Sequence, residues 1–275
     1  MLAYEWMRIA FFAALVLGIA LPLVGSTAVY KRLSSSGDAL AHSSLAGVAI
    51  GLVAGLNPMV ISIIACVVSF LIIELLRKKF HKFSEIGVAV VLSAAIGIAG
   101  ILSRYAHSLN FESYLFGSIL LIQDYELIAS IIIMVIVVVF YAVFYRSIAA
   151  SLYSEDEAKV NGVKVGALNF CHSLLLSISI AIAAKVVGSL VVSSMIVLPT
   201  AIALLFKRGY LQTMIISLVA SLGCMLGGLT ISYYASWAPG ATIVSLAVAL
   251  LLVVLLIKLM CYLIQKQKQR KSLSK

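Results

Sequence analysis

Charged residues are scarce in this chain of 275 residues: Asp, Glu, Lys and Arg make up 11% of it, whereas hydrophobic residues make up 63%. No water-soluble domain needs that composition, because its surface must be largely polar. Several spans of about 20 apolar residues, each long enough to cross a bilayer, do need it. The composition therefore excludes a water-soluble domain and predicts an all-α membrane protein.

Paired cysteine motifs and a phosphate-binding loop are also missing. The four cysteines are widely scattered and no CxxC occurs, so we expect neither a disulfide framework nor a cysteine metal site. We interpret Cys66, Cys171, Cys224 and Cys261 as buried small hydrophobic residues. No GxxxxGK[ST] occurs, so this chain does not hold the phosphates of ATP in a P-loop, and we expect no enzymatic activity from it alone.

Apolar sequence is abundant and divides into nine spans joined by short loops. No segment is long or polar enough for a separate soluble domain, so residues 1–275 are predicted to form a single transmembrane domain with eight or nine crossing helices. The spans lie at about 8–30, 38–56, 58–76, 85–103, 126–146, 167–186, 189–206, 211–233 and 241–264.

The net charge of +10 comes from the short loops between spans, which argues against a nucleic-acid surface and for orientation signals. With the 31–37 loop in the cytoplasm, every Lys and Arg except Arg8, Arg104 and Lys185 falls on the cytoplasmic side. This asymmetry predicts a cytoplasmic C-terminus and, with nine crossings, an external N-terminus. A re-entrant span would move the N-terminus inside, and 85–103 and 189–206 are the weakest spans.

An acid and an imidazole lie four residues apart at the start of the second span, as Asp38 and His42. That spacing puts both on one face of a helix. A carboxylate at the centre of a bilayer helix costs about 2.5–3.5 kcal/mol, so such a residue usually has a function. A hard oxygen and a borderline nitrogen together suit a divalent transition ion. The alternative is a capping Asp38 and a hydrogen-bonded core His42.

Glycines recur every fourth residue on the other side of the same span, at Gly47, Gly51 and Gly55. At about 100° per residue, Gly47 lies about 180° from Asp38. Small residues at this spacing allow another helix to approach closely. One face of the span is therefore predicted to pack against a neighbour while the other carries the candidate ligands.

The most polar stretch on the predicted cytoplasmic side lies between the fifth and sixth spans. Ser154 is a suitable N-cap, acids follow in the first turn, and Asn161-Gly162 is a typical helix end. The pattern is compatible with a short polar helix that could serve as a handle for a motor protein. An ordinary loop is the alternative.

Three further features are interpreted without a role in metal binding or coupling. His172 begins the sixth span and is interpreted as a satisfied polar residue rather than a ligand. Lys185, at the outer end of that span, is expected to reach the membrane interface along its flexible stem. The segment Tyr114–Leu120 is too short to cross and too apolar to be free in water, so we expect it at the interface or tucked into the bundle.

Five stretches together resemble the inner-membrane permease family of bacterial metal-ion ABC importers. Gly37–His42 matches its G-D-x-[LI]-[SA]-H signature, and Tyr114–Leu120 is similar to its Y-L-F-G-x-[IL]-[LI] segment. Asp156–Val165 resembles its inner-face coupling stretch. Val187–Ala201 resembles its V-G-x-L … P-[AT]-x-x-A run, and Tyr233–Val244 its Y-Y … P-[AGS]-x-x-I-V turn. The resemblance covers nearly the whole chain in order.

The resemblance implies a type II-like ABC importer permease in the bacterial inner membrane. Its partners would be cytoplasmic ABC ATPase subunits, an extracytoplasmic metal-binding protein and a second permease copy, with no permanently bound cofactor. Asp38 and His42 would form a transient metal site, to which two copies contribute four ligands. The residues implied in coupling to the ATPase are Glu155, Asp156, Glu157, Lys159, Gly162 and Lys164.

The implied cargo is a divalent metal ion, and the signature is closer to that of zinc-type members. Manganese-type members tend to have a proline before the glycine that follows the histidine, where this chain has Ala46 before Gly47. Manganese or iron uptake by the same mechanism stays open, because the ligand types fit Zn²⁺, Mn²⁺ and Fe²⁺. Two other classes stay open: a proton- or sodium-coupled secondary transporter using Asp38, and a scaffold in which Asp38 and His42 are structural.

Overall fold

The computed structural model describes residues 4–80, 84–105 and 122–273, and every regular element in these ranges is an α-helix. The Tyr114–Leu120 segment lies outside the described residues. We number the ten helices in chain order: α1 Glu5–Tyr30, α2 Ser34–Ala54, α3 Pro58–Lys79, α4 Ser84–Ser103, α5 Asp124–Tyr153, α6 Glu155–Val160, α7 Val165–Val187, α8 Ser189–Leu204, α9 Tyr210–Ala235 and α10 Pro239–Leu273.

Eight of these helices are long and apolar enough to cross a membrane, which confirms the all-α polytopic fold. The helix α8 is the exception among the apolar ones. Its 16 residues extend about 24 Å at 1.5 Å per residue, less than the roughly 30 Å of a bilayer core. The predicted 189–206 span is therefore shorter than a full crossing helix. Only Gly188, with φ 99°, separates it from α7.

The two ends of the bundle differ in composition. At one end the α1–α2 turn, the ends of α3 and α5, and the starts of α4 and α7 line a common cavity. Tyr30 and Tyr210 bring the start of α9 to the same place, with ring centroids 5.5 Å apart. We call this the basic end, because most of the Lys and Arg residues of the described ranges lie in its turns and helix ends. The start of α1 lies at the opposite end, where Trp6 contacts Tyr233.

Helices α1, α2, α7 and α8 form the centre of the bundle, and α3, α4, α5 and α10 surround it. Close backbone approaches hold the centre together. A Cβ on Gly25 of α1 would lie 2.4 Å from the carbonyl oxygen of Ile196 on α8, so only glycine fits there. The space between these helices is filled by almost fully buried side chains, such as those of Leu17, Leu40 and Met195.

Two interpretations of polar or polarisable residues were wrong. Cys66 and Cys224 are buried as expected, but Cys171 and Cys261 are exposed. Both lie on outward faces of apolar helices, where lipid tails replace a protein core. Lys185 does not reach outward: its side chain is 11% exposed and its Nζ lies 3.2 Å from Glu126 Oε1 at the start of α5. Because a buried charge is stable only when paired, the ion pair keeps this ammonium inside.

Candidate functional site

Asp38 and His42 lie in the second and third turns of α2, at the basic half of the bundle. Helix α2 begins four residues before Asp38, so this residue is not the cap that the alternative interpretation required. His42 Nε2 lies 3.9 Å from Asp38 Oδ1. Two ligands at 2.0–2.1 Å from a tetrahedral zinc ion are about 3.4 Å apart. A small rotamer adjustment would therefore let both side chains bind one ion.

The pair is partly exposed near the start of α2. The Asp38 side chain is 49% exposed and the His42 side chain 24%, whereas Ala39, Leu40 and Ala41 between them are buried. Farther along the same face, Leu45 and Ala46 pack against residues of α4, namely Ala95 and Ala99. Helix α4 therefore covers this face beyond His42 and leaves the two candidate ligands accessible.

One chain brings two candidate ligands together rather than a complete set. Within residues 4–80, 84–105 and 122–273, no group of three or more His, Cys, Asp or Glu side chains could hold a metal ion. A tetrahedral site needs four ligands, or three and an exchangeable one. A second copy presenting the same open face would supply the other two.

The opposite face of α2 packs directly onto α3. A Cβ on Gly47 would lie 2.7 Å from Ser62 Cα, and one on Gly51 would lie 2.8 Å from Pro58 Cα. A hydrogen bond between the hydroxyls of Ser44 and Ser62, 2.8 Å long, closes the same interface. Together these contacts fix the rotation of α2, and with it the direction in which Asp38 and His42 point.

Gly55 does not share the packing role predicted for it. It ends α2 in the left-handed conformation, with φ 67°, and no described residue lies within 4 Å of its Cβ position. Glycine is favoured there because a side chain strains that backbone conformation. The packing role predicted from the four-residue spacing holds for Gly47 and Gly51, whereas Gly55 marks the end of the helix.

A polar cavity of about 720 Å³ opens at the basic end beside the first turn of α2. Its wall carries three cations and three carboxylates. Glu74 and Arg77 of α3 lie 3.6 Å apart, and Arg77 also donates to the Ser36 hydroxyl at 3.4 Å. The charged residues of the wall are Lys31, Arg32, Glu74, Arg77, Glu85 and Glu155.

A second set of contacts in the cavity joins three elements. Lys31, in the α1–α2 turn, donates to the Asn169 side-chain oxygen on α7. The Asn169 amide nitrogen donates to Glu155 Oε1 at 3.3 Å. Burial lowers the pKa of Lys31 below its usual value, and the negative charge of Glu155 partly offsets that effect. One Asn in an apolar helix is the single feature of the sequence that pointed to this set.

The short helix predicted between the fifth and sixth spans is confirmed as α6. The Ser154 hydroxyl accepts a hydrogen bond from the Glu157 amide, and Gly162 follows with φ 81°. Lys159 and Asp156 pair at 3.0 Å on its exposed side, and Lys164 precedes α7. Ala158 is the residue of α6 that is buried, so the helix presents its charged side chains outward.

His172, interpreted from the sequence as a satisfied polar residue, is almost completely buried. It is 1% exposed, its Nε2 lies 3.3 Å from the Val24 carbonyl oxygen, and its Nδ1 has no hydrogen-bond partner among the described residues. Nearby, the Thr27 hydroxyl is hydrogen-bonded to those of Tyr141 and Tyr210, at 2.8 and 2.7 Å. This buried polar cluster joins α1, α5 and α9 well away from the open face of α2.

The helical bundle, the open acid–imidazole pair and the projecting α6 define a membrane permease, and comparison with known families agrees. The model of the ABC 3 transport family matches residues 3–258. The chain belongs to the ABC 3 transport family.

Several relatives have names that describe metal transport. A probable metal transport system membrane protein of Treponema pallidum is 34% identical over 93% of this chain and 96% of its own. The high-affinity zinc uptake system membrane protein ZnuB of Haemophilus influenzae is 27% identical over 85% of this chain and 92% of its own. The manganese import system permease protein ScaB of Streptococcus gordonii is 25% identical over 91% of this chain and 90% of its own.

A solved structure has the same fold. The structure of PsaBC from Streptococcus pneumoniae in complex with a Fab superposes with a TM-score of 0.81. It is 24% identical and covers 91% of each chain. This likeness supports the fold of the chain and carries no conclusion about its cargo.

Proposed function

We propose that this chain is the membrane-spanning subunit of an ATP-driven importer of divalent metal ions, with zinc as its cargo. The observation that carries the proposal is the partly exposed Asp38–His42 pair near the start of a mostly buried helix. Its 3.9 Å separation is close to what one ion requires. Membership of a transport family, with relatives named for zinc and manganese transport, supports the same cargo class.

The transport site would be shared between two copies of the chain. Each copy contributes one carboxylate and one imidazole from the open face of α2, and four such ligands satisfy tetrahedral Zn²⁺. Two ligands per chain, brought together and separated by movement of the copies, allow the ion to be released. A fully closed site within one chain would retain it.

Energy would come from separate cytoplasmic ATPase subunits, and an extracytoplasmic protein would deliver the ion. The charged residues of α6 and the turn after it project from the basic end and are available for contact. Together with Gly162 of that turn, they form the coupling set, whose charged members are Glu155, Asp156, Glu157, Lys159 and Lys164. Placing the basic end in the cytoplasm of a bacterial inner membrane follows the distribution of Lys and Arg, and it puts the C-terminus inside.

Manganese is the second candidate cargo, favoured by the similarity to the manganese permease ScaB. Its preference for oxygen ligands weighs against a site in which half of the ligands are imidazoles. A secondary transporter coupled to protons or sodium through Asp38 is the rival of another class. It needs no ATPase.

The test is uptake of radiolabelled Zn²⁺, Mn²⁺ and Fe²⁺ by the permease reconstituted with its ATPase in proteoliposomes. We expect ATP-dependent uptake with zinc taken up best. In Asp38→Ala, apparent zinc affinity should fall at least about a hundredfold, because even the loss of a residue that only supports a ligand costs 10–100-fold. Glu5→Gln removes an exposed carboxylate from the start of α1 and should transport normally.

Three results would contradict the proposal. Uptake that persists without ATP and collapses with the proton gradient would favour a secondary transporter. Equal loss of protein abundance and of uptake in Asp38→Ala and His42→Ala would favour a structural role. Excess manganese that abolishes zinc uptake, while zinc hardly affects manganese uptake, would reassign the cargo.

A further inference from the structure

Helix α6 is held to the rest of the bundle by few contacts. Of its six residues, Ala158 is buried and the remainder are exposed. Among the described residues, Glu155 is the α6 side chain that hydrogen-bonds to another helix, accepting from Asn169 of α7. The Asp156–Lys159 pair lies within α6 itself. Apart from the covalent connections of α6 to α5 and α7, a force applied to α6 therefore reaches the bundle through the Ala158 contact and through Asn169.

The two ends of the Asn169 amide match their partners. Its oxygen accepts from the Lys31 ammonium, and its nitrogen donates to the Glu155 carboxylate. The reverse orientation would point N–H groups at an ammonium and an oxygen at a carboxylate, so the charges on either side fix the amide. An aspartate here would keep an acceptor for Lys31 and repel Glu155.

Beyond Lys31, the path continues through a stiff turn. Hydrogen bonds from Lys31, Arg32 and Leu33 amides to carbonyl oxygens of α1, 2.7–3.0 Å long, fold the turn tightly. Helix α2 starts directly afterwards at Ser34 and carries Asp38 one turn later. The Lys31 ammonium is half-buried, so this contact is less screened by water than a pair on the open surface.

We propose that Asn169 is a positioning residue for transport, linking α6 through Lys31 to the start of the helix that bears Asp38 and His42. Displacement of α6 by the ATPase then moves the start of α2 relative to α3 and α4. This inference rests on the proposed function, since it assigns a route by which ATP hydrolysis reaches the metal site.

The test uses an exchange of hydrogen-bonding roles. Asn169→Asp alone should break the contact with Glu155. Adding Glu155→Gln should restore it, because the introduced amide can donate to the introduced carboxylate. Asn57→Asp is the matched control, since Asn57 caps α3 at the opposite end of the bundle and aspartate caps a helix equally well.

Two readouts separate the link from the transport function. Hydrogen exchange of the α6 amides, measured on the permease alone, should speed up about three- to tenfold in Asn169→Asp, as expected for losing a partly exposed bond to a charged group. In the complex with the ATPase, ions transported per ATP should fall by a similar factor while Zn²⁺ affinity of the permease is unchanged. Hydrogen exchange should return to within about twofold in the double variant, and the ion-to-ATP ratio is compared only between wild type and Asn169→Asp, because Glu155 belongs to the proposed coupling set.

Unchanged exchange in Asn169→Asp would overturn the link, and changed exchange with an unchanged ion-to-ATP ratio would overturn its role in coupling. Failure of Glu155→Gln to restore hydrogen exchange would show a general disturbance of α7 and would overturn the link. Absence of ATP-dependent uptake in the wild type would overturn the proposed function itself. Wild-type uptake is therefore measured before any variant is compared.

Discussion

Helices α2 and α10 are built in opposite ways. Helix α2 has the lowest mean hydropathy of the eight long helices, yet 67% of its most apolar stretch is buried inside the protein. Helix α10 is among the most apolar, yet only 11% of the corresponding stretch is buried. In water the more apolar helix would lie inside. Here the solvent is lipid, so leucine-rich faces point outward and small or polar residues pack between helices.

The polar residues of α2 explain why it lies at the centre. Ser44 bonds to Ser62 of α3, and the thiol of Cys66 donates to the Leu40 carbonyl oxygen. Gly47 and Gly51 admit the α3 backbone. A lipid-facing position would leave these hydroxyls without partners and the glycines without contacts. Asp38 and His42, on the same helix, stay partly exposed.

The largest difference is expected between matched leucines of the two helices. Leu40 of α2 is 2% exposed and Leu256 of α10 is 56% exposed. Leu40→Ala leaves a cavity and should destabilise the protein by about 2–5 kcal/mol. Leu256→Ala exchanges one lipid contact for another and should change stability by no more than about 0.5 kcal/mol. Thermal unfolding in detergent measures both, and equal losses would contradict the proposed outward face of α10.

Matched glycines should show a smaller difference. Gly47→Ala places a Cβ 2.7 Å from Ser62 Cα, whereas no described residue lies within 4 Å of the Cβ position of Gly97 on α4. We expect Gly47→Ala to destabilise the protein by about 1–3 kcal/mol and to reduce transport by turning α2. Gly97→Ala should be neutral or stabilise by up to about 1 kcal/mol. The same unfolding assay decides, and a harmless Gly47→Ala would disprove the close α2–α3 contact.

Much of this architecture could be predicted from the sequence. Long apolar spans located most helices to within four residues at each end, whereas α5 and α10 extend seven and nine residues beyond the predicted spans. The Ser154 and Gly162 signals located α6. The 189–206 span was among the weakest, but hydropathy alone could not show whether it crosses the membrane, because it does not distinguish burial in protein from burial in lipid. The Lys185–Glu126 pair also escaped prediction, since the partners are far apart in the chain and each alone looks like an interfacial charge.

The candidate site, like the fold, was predicted from the sequence only in part. Four-residue spacing put Asp38 and His42 on one face and Gly47 on the other, which follows from helix geometry alone. Which part of that face is open depends on where α4 crosses it, and the crossing is set by Leu45, Ala46, Ala95 and Ala99 together. Asn169 was missed because its role comes from neighbours on two other elements.

The smallest effect is expected from hydroxyls inside the bundle. Thr27 joins Tyr141 and Tyr210 on two other helices, whereas the Thr230 hydroxyl bonds to Leu226 within its own helix. Thr27→Val should destabilise the protein by about 0.6–1.7 kcal/mol, the range for hydrogen bonds between membrane helices. Thr230→Val should have no measurable effect. Unfolding in detergent tests both, and a larger loss in Thr230→Val would contradict the account of the polar centre.

The central claim is that two copies share one metal ion between their Asp38–His42 pairs. Equilibrium Zn²⁺ binding to the purified permease, with the number of ions counted per chain, tests it most directly. The account predicts one ion per two chains, lost in Asp38→Ala and His42→Ala variants that keep their paired state. One ion per chain, or a stoichiometry that survives both substitutions, would contradict it.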